Sequence, residues 1–238
     1  MGVVAAEHQS SSLFRRGVQK GSSIAIGYMP VAFTFGLLAK SSGLNLFETI
    51  SMSVFVFAGA SQYIALTLIA AGIGGFEIIL TTFIVNIRHL LMSASISEKS
   101  ADEPKWKKAL YSFFVTDETF TLAAVQKGKI HSSYMIGLGI NVWTSWVSFS
   151  AIGFLIGSGL PSILQESMGI ALYALFIGIL VPSARKSMKV ISLAAIAAIL
   201  NSILTFTTGL STGWTIILST LVAAVVIEIV WKGEVVDV

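Results

Sequence analysis

Residues 81–95, "TTFIVNIRHLLMSAS", set Asn86, Arg88 and His89 into a run otherwise built mainly of Ile, Phe, Val, Leu and Met. A full charge in the middle of a bilayer costs about 2.5–3.5 kcal/mol, so such residues are there for a partner or for a function. Arg88 can hold a carboxylate, His89 can take up a proton, and Asn86 can donate and accept hydrogen bonds. A second stretch, "FFVTDETF" at 113–120, places two more titratable groups, Asp117 and Glu118, in an apolar setting. A third, "VFVFAGASQYIAL" at 54–66, has four small residues in a row, Ala58 to Ser61, followed by Gln62. A fourth, "GYMPVAFTFG" at 27–36, carries Pro30.

Helical geometry sets what these groups can reach. Asn86 and His89 share a face, whereas Arg88 points about 200° away from Asn86 on a regular helix. Either Arg88 meets a different neighbour or the helix is broken there. Asp117 and Glu118 diverge by about 100° and so serve different neighbours. Arg88 is expected to form an ion pair with Asp117 or Glu118; snorkelling to an interface is the structural alternative. The run Ala58–Ser61 reads either as tight helix packing or as an unwound turn. An unwound turn would present backbone N–H groups, the Ser61 hydroxyl and the Gln62 amide to a ligand. A packing helix needs small residues on one face only, at a spacing of four; this run has them on every face. Pro30 lacks a backbone donor and is expected to kink its helix.

These residues must be held by membrane helices. Of 238 residues 55% are hydrophobic and 11% charged, against about 25% charged in soluble domains. Eight apolar segments can be counted: 22–39, 47–71, 76–95, 110–125, 133–156, 168–181, 190–208 and 214–231. A spanning helix needs about 20 apolar residues. The sixth segment is short and the fourth carries two carboxylates, so both are expected to be tilted, broken or re-entrant. The fold class is therefore an all-α integral membrane protein, a polytopic helical bundle with seven or eight hydrophobic segments. Segments one and five share a Gly-rich character, and each precedes a segment with a small-residue break, which suggests a duplicated half.

Charge sets orientation. With every segment crossing and the N-terminus inside, nine loop Lys and Arg lie inside and five outside, Arg88 left aside. The conflict is the loop at 97–109, with Lys99, Lys105, Lys107 and Lys108; re-entrant segments would move it inside. The N-terminus is expected in the cytoplasm. Residues 1–21 read as a short, loosely ordered tail, with room for an amphipathic helix from Leu13 to Lys20, and 232–238 as a C-terminal tail.

Several chemistries are excluded. The chain has no cysteine, so thiolate metal sites and Cys nucleophiles are out. His8 and His131 lie in the tail and in a loop, so His89 has no histidine partner for a metal, and no cofactor is expected. There is no H-E-x-x-H run and no Walker motif. The net charge of +3 fits cytoplasmic loops facing lipid headgroups, and no basic stripe with aromatics points to nucleic acid. A passive channel for small polar solutes is the rival to a transporter; it would need a ring of like residues.

The motifs "G.MP.AF.FG", "FAGASQY", "N.RH.LMS" and "TDE.F", with "ALFIGILVP" at 174–182, resemble the AzlC family, the large subunit of branched-chain amino acid exporters, from about Gly17 to Val230. The resemblance implies about seven spans in a transporter domain at 22–231 of the cell membrane. It implies export of leucine, isoleucine and valine, driven by proton motive force, with a small AzlD-like membrane subunit as partner; one methylene is worth only about 1–3 kcal/mol in an apolar pocket, which leaves room for methionine as well. Under it, Pro30, Gly59, Ser61, Gln62, Asn86 and Arg88 are the expected substrate-binding residues. Asp117, then Glu118, and His89 are the expected proton-coupling ones.

Overall fold

The computed structural model of the chain describes residues 2–161, 163, 170, 174, 177–178, 180–185 and 187–231, for residues 2–10 the backbone alone. Among these residues the regular structure is helical, apart from one isolated bridge between Ser100 and Ile130. The first segment is α1 (Gly2–Ser41). The second is two helices, α2 (Leu46–Phe55) and α3 (Gly59–Ala70). The third is α4 (Gly75–Lys99), unbroken. The fourth is split into α5 (Lys105–Ser112) and α6 (Asp117–Ala124). Then come α7 (Ser132–Ile156), a 3₁₀ turn at Gly157–Gly159, α8 (Met188–Thr207) and α9 (Thr212–Val230). Five of these stretches are long and apolar enough to cross a membrane: α1 from Ser11, α4, α7 with its turn, α8 and α9. The expected breaks in the second and fourth segments are present. The sixth segment, 168–181, lies largely outside the described residues, and the tail at 232–238 wholly so.

Residues 11–21, read as a loose tail with room for a helix from Leu13 to Lys20, are helical throughout and continue into the first span. Packing explains this. Gly17 lies so close to α7 that a Cβ there would stand 2.2 Å from Tyr134 O. The contact is reciprocal: a Cβ on Gly137 would stand 2.2 Å from Phe14 O. Higher up, Gly36 meets Ser150 O and Gly153 meets Phe33 O in the same way. Lys40 Nζ then donates to Ser158 Oγ at 3.2 Å. The residue order makes α1 and α7 parallel, and the reciprocal contacts are those of two helices about a local two-fold axis. Missing side chains let the backbones approach this closely.

The core is Tyr28, Val31, Ala32 and Phe35 of α1 against Val142 and Trp146 of α7, with Phe57, Tyr63 and Leu66 beside them. Tyr63 OH donates to Val31 O at 2.7 Å and ties α3 to α1. Large apolar side chains also face outward: Phe47, Phe55, Phe76 and Phe206 are each at least 76% exposed. That pattern suits lipid, which solvates apolar side chains without penalty.

Polar contacts fix the helix ends. Asn45 and Glu48 close a capping box on α2. Glu103 accepts from the backbone N–H of Ser132 at 2.8 Å, and from its hydroxyl, at the start of α7. Glu77 of α4 accepts from the Ser211 hydroxyl and from the Trp214 N–H at 3.2 Å at the start of α9. Gly209 to Gly213 happen to have the G-x-S-x-G spacing of a hydrolase elbow. Ser211 precedes α9, and its hydroxyl donates to the Glu77 carboxylate.

Candidate functional site

The two broken segments meet. The first break is Val56–Ala58, with Phe57 at φ 39°. A left-handed backbone at a bulky residue costs about 1–2 kcal/mol. Its ring is held by burial, only 3% exposed, and it packs on Phe113 of the second break with centroids 6.0 Å apart. The first helical hydrogen bond of α3 runs from Gln62 N to Ala58 O at 3.0 Å. The N–H groups of Gly59, Ala60 and Ser61 therefore have no helical acceptor. No side chain caps them, and the first turn of α3 holds no acid.

The second break, residues 113–116, leads into α6 with the opposite arrangement. Thr116 caps it in a reciprocal box with Thr119, and Asp117 and Glu118 fill its first turn. Carboxylates there are favoured by the partial positive charge of the helix N-terminus. One half-helix is thus supplied with its own anions, and the other is left bare.

Between them lies a small cavity. It is lined by Tyr28 and Val31 of α1, Ala58, Gly59 and Ala60 of the first break, Arg88 and His89 of α4, Thr116, Asp117 and Glu118 of the second, and Trp146 of α7. About 20 Å³ is open to the centre of a water molecule, room for about one or two waters. Arg88 Nη2 is 3.1 Å from Asp117 Oδ2, the expected ion pair, with the two side chains 39% and 23% exposed. Glu118 Oε2 accepts from the Tyr28 hydroxyl, and from Thr116 Oγ1 at 3.1 Å.

α4 is unbroken, so its polar groups reach different neighbours. Arg88 turns to α6, while Asn86 Nδ2 donates to Ser61 Oγ at 3.0 Å. Ser61 itself donates to Ala58 O at 2.9 Å, which braces the turn. Gln62 is fully buried and reaches Ser53 Oγ at 3.5 Å, and Ser53 bonds Ser150 of α7 at 3.0 Å. Ser61, Gln62 and Asn86 are not among the residues that line this cavity; Ala58, Gly59 and Ala60 are. Pro30 is exposed and does not line the cavity, and α1 stays helical through it. The Pro ring removes one donor, but α7 holds the helix on both sides of it. Gly59, Arg88, His89, Asp117 and Glu118 do line it.

Sequence reasoning missed Tyr28, Thr116 and Trp146. Thr116 carried a signal, a hydroxyl residue just before two acids, which is an N-cap pattern. Tyr28 and Trp146 carried none, because their roles arise only when α1 and α7 pack; the rings meet edge-on at 5.2 Å between centroids. Four polar atoms here are buried with no hydrogen-bond partner among the described residues: Gln62 Oε1, Asn86 Oδ1, Arg88 Nε and Trp146 Nε1. Among the described residues no cluster of three or more His, Cys, Asp or Glu could hold a metal.

Comparison with known proteins places this arrangement. Inner membrane protein YgaZ of Escherichia coli is 31% identical over 232 residues, covering 94% of each chain. An uncharacterized membrane protein of Archaeoglobus fulgidus is 31% identical over 73% of this chain and 77% of its own. The branched-chain amino acid transport protein AzlC of Bacillus subtilis is 27% identical over 74% of this chain and 70% of its own. No solved structure matches. The family model described as AzlC protein matches residues 23–160, a stretch that contains both breaks and every cavity-lining residue. The match is narrower than the motif resemblance, which ran to about Val230, but it covers more than half of the sequence, and the chain belongs to the AzlC family.

Proposed function

We propose that the chain is a secondary transporter that exports branched-chain amino acids, leucine, isoleucine and valine with methionine, across the cytoplasmic membrane. Export is coupled to protons and requires a small AzlD-like membrane subunit; the N-terminus faces the cytoplasm. The observation that carries the reading is the bare N-terminus of α3 facing the Arg88–Asp117 pair across a cavity. A zwitterion with an apolar tail fits such a site. Its carboxylate takes the free N–H groups of Gly59 and Ala60, as anionic groups do at discontinuous membrane helices, with Arg88 beside them. Its ammonium takes a carboxylate of α6. Its tail lies along Val31, Trp146 and Tyr28.

The cavity's size adds a requirement. Room for about one or two waters is less than an amino acid needs, so the half-helices must part to load it. A site with this little room suits a transporter whose helices rearrange to load it, more than an open pore. The test is efflux of preloaded labelled leucine from cells with and without this chain and its small subunit. Efflux against a concentration gradient is expected; movement only down the gradient would identify a passive pore, and no difference between the cells would overturn the reading.

A further inference from the structure

We propose that Glu118, and not its neighbour Asp117, carries the coupled proton, and that the proton and the substrate ammonium compete for this one carboxylate. The inference rests on the transport reading above and assigns the coupling within it.

Asp117 is committed elsewhere. Its carboxylate pairs with Arg88 at 3.1 Å. Protonating it would strand a guanidinium whose Nε is already buried without a partner, and an unpaired charge within a membrane span is expensive. Glu118 has no such commitment. Among the described residues no Lys, Arg or His nitrogen lies within 4.0 Å of it. The titratable and charged groups around the cavity are Tyr28 from α1, Arg88 and His89 from α4, and Asp117 on its own helix. α3 and α7 bring only Ala58, Gly59, Ala60 and Trp146.

Its two partners are hydroxyls, and this is the central point. A hydroxyl both donates and accepts. With Glu118 ionised, Tyr28 OH and Thr116 Oγ1 both donate to Oε2. With a proton on Oε2, the carboxyl donates to one hydroxyl oxygen and that hydroxyl turns its own hydrogen away. Thr116 has somewhere to turn it: Thr119 Oγ1 is 3.4 Å distant and itself donates to Phe114 O at 2.8 Å. Both protonation states are thus satisfied by rotating O–H bonds, with no heavy atom moved. A salt-bridged Asp117 cannot do this.

The charge balance follows. Arg88 and Asp117 cancel, which leaves Glu118 as the cavity's one uncompensated anion. A substrate ammonium or a proton neutralises it, and one excludes the other. A proton from outside water binds Oε2 and displaces the ammonium; on the other side the proton leaves to water and a new ammonium replaces it. One zwitterion leaves per proton entering, so each cycle moves one positive charge inward and responds to membrane potential as well as to pH. Competition at one site also makes substrate affinity fall about tenfold per pH unit once the medium is below the pKa of Glu118.

The experiment uses the full chain with its small subunit in proteoliposomes. Two readouts are taken: leucine counterflow without a proton gradient, and uphill uptake of leucine driven by an outward proton gradient. Wild type is expected to show both, with a counterflow KM that rises on acidification. Glu118→Gln is expected to weaken counterflow, with a raised KM that no longer depends on pH, and to lose gradient-driven uptake by at least about tenfold more than counterflow. Asp117→Asn is expected to lower both readouts in proportion, while the KM of the remaining counterflow still responds to pH. Gradient-driven uptake retained in Glu118→Gln overturns the proposal. Absence of counterflow in wild type overturns the transport reading instead. A measurement on wild type needs no variant. A hydrophobic carbodiimide, which modifies protonated carboxyls, is expected to label Glu118 at low pH, with leucine protecting. Label on Asp117 alone overturns the proposal.

Discussion

Gly36→Ala tests whether the α1–α7 pair is the frame of the molecule. A Cβ on Gly36 would lie 1.9 Å from Ser150 O and 2.7 Å from Phe154 N, both backbone atoms of α7. Backbone cannot rotate out of the way. To restore contact the helices must part locally by about 1.5 Å, which forfeits packing along the seam. Overpacking costs typically about 1–3 kcal/mol, and a backbone obstacle puts this site at the upper end. Alanine returns up to about 1 kcal/mol through its helix propensity, leaving a net loss of about 2 kcal/mol. At about 2–4 °C per kcal/mol for a chain of this size, the midpoint in detergent should fall by about 4–8 °C. Gly27→Ala is the control: it lies in the same helix with nothing within 4 Å of its Cβ, so it should be neutral or slightly stabilising. The double variant Gly36→Ala, Gly153→Ala should cost less than the sum, because both push apart the same two segments. A Gly36→Ala protein as stable as Gly27→Ala would refute the close approach of these helices.

Removing one partner of the Arg88–Asp117 pair should hurt export more than removing both, since a lone charge is left in the site; comparable losses in Arg88→Met and in Arg88→Met, Asp117→Asn would dismiss the pair. Gly59→Leu should abolish export, because even a Cβ there meets Trp146 Cη2 at 2.9 Å, and wild-type efflux in this variant would remove the α3 terminus from the mechanism. Ser61→Ala should weaken export by about tenfold or less, as it deletes two neutral hydrogen bonds, one from Asn86 and one to Ala58 O; total loss of efflux in a stable protein would move Ser61 into the site. Burial pushes the Glu103 carboxyl up, but two hydrogen bonds from Ser132 and the charges of His131 and Lys107 outweigh it, and it sits below the ordinary 4.5. A depressed carboxylate stabilises the fold above its unfolded value and loses that contribution as pH falls through its folded value. Glu103→Gln should therefore lower the midpoint near neutral pH and flatten its decline below about pH 4.5; an unchanged acid limb would contradict this.

The parts legible in the sequence were those whose cause is local. Small residues on every face of 58–61 told against a packing helix; the chain breaks just before them, at 56–58, and Gly59 to Ser61 open α3 instead of lying in the break. Two adjacent acids in an apolar run demanded a cation, and Arg88 supplies it. Angular spacing on α4 already separated Asn86 from Arg88, and they do serve different neighbours. What was illegible depends on which helices meet. Nothing in "GYMP" says that Tyr28 points at Glu118, because α6 lies 90 residues away in the chain. Ser61 and Gln62 looked like ligand donors because hydrogen-bonding side chains in lipid need partners; the structure gives them partners in Asn86 and Ser53. Pro30 was expected to kink α1 because it lacks a backbone donor; the helix runs on through it, packed along its length on α7.

The central claim is that substrate occupies the cavity at the start of α3. The chain has no cysteine, so Ala60→Cys places a single thiol in the cavity wall. The measurement is the rate at which a small polar thiol reagent modifies Cys-bearing protein that still exports leucine. The account predicts modification that leucine or valine slows in a saturable way, at the concentrations that saturate efflux, while lysine has no effect. A rate unchanged by saturating leucine would place the substrate elsewhere and contradict it.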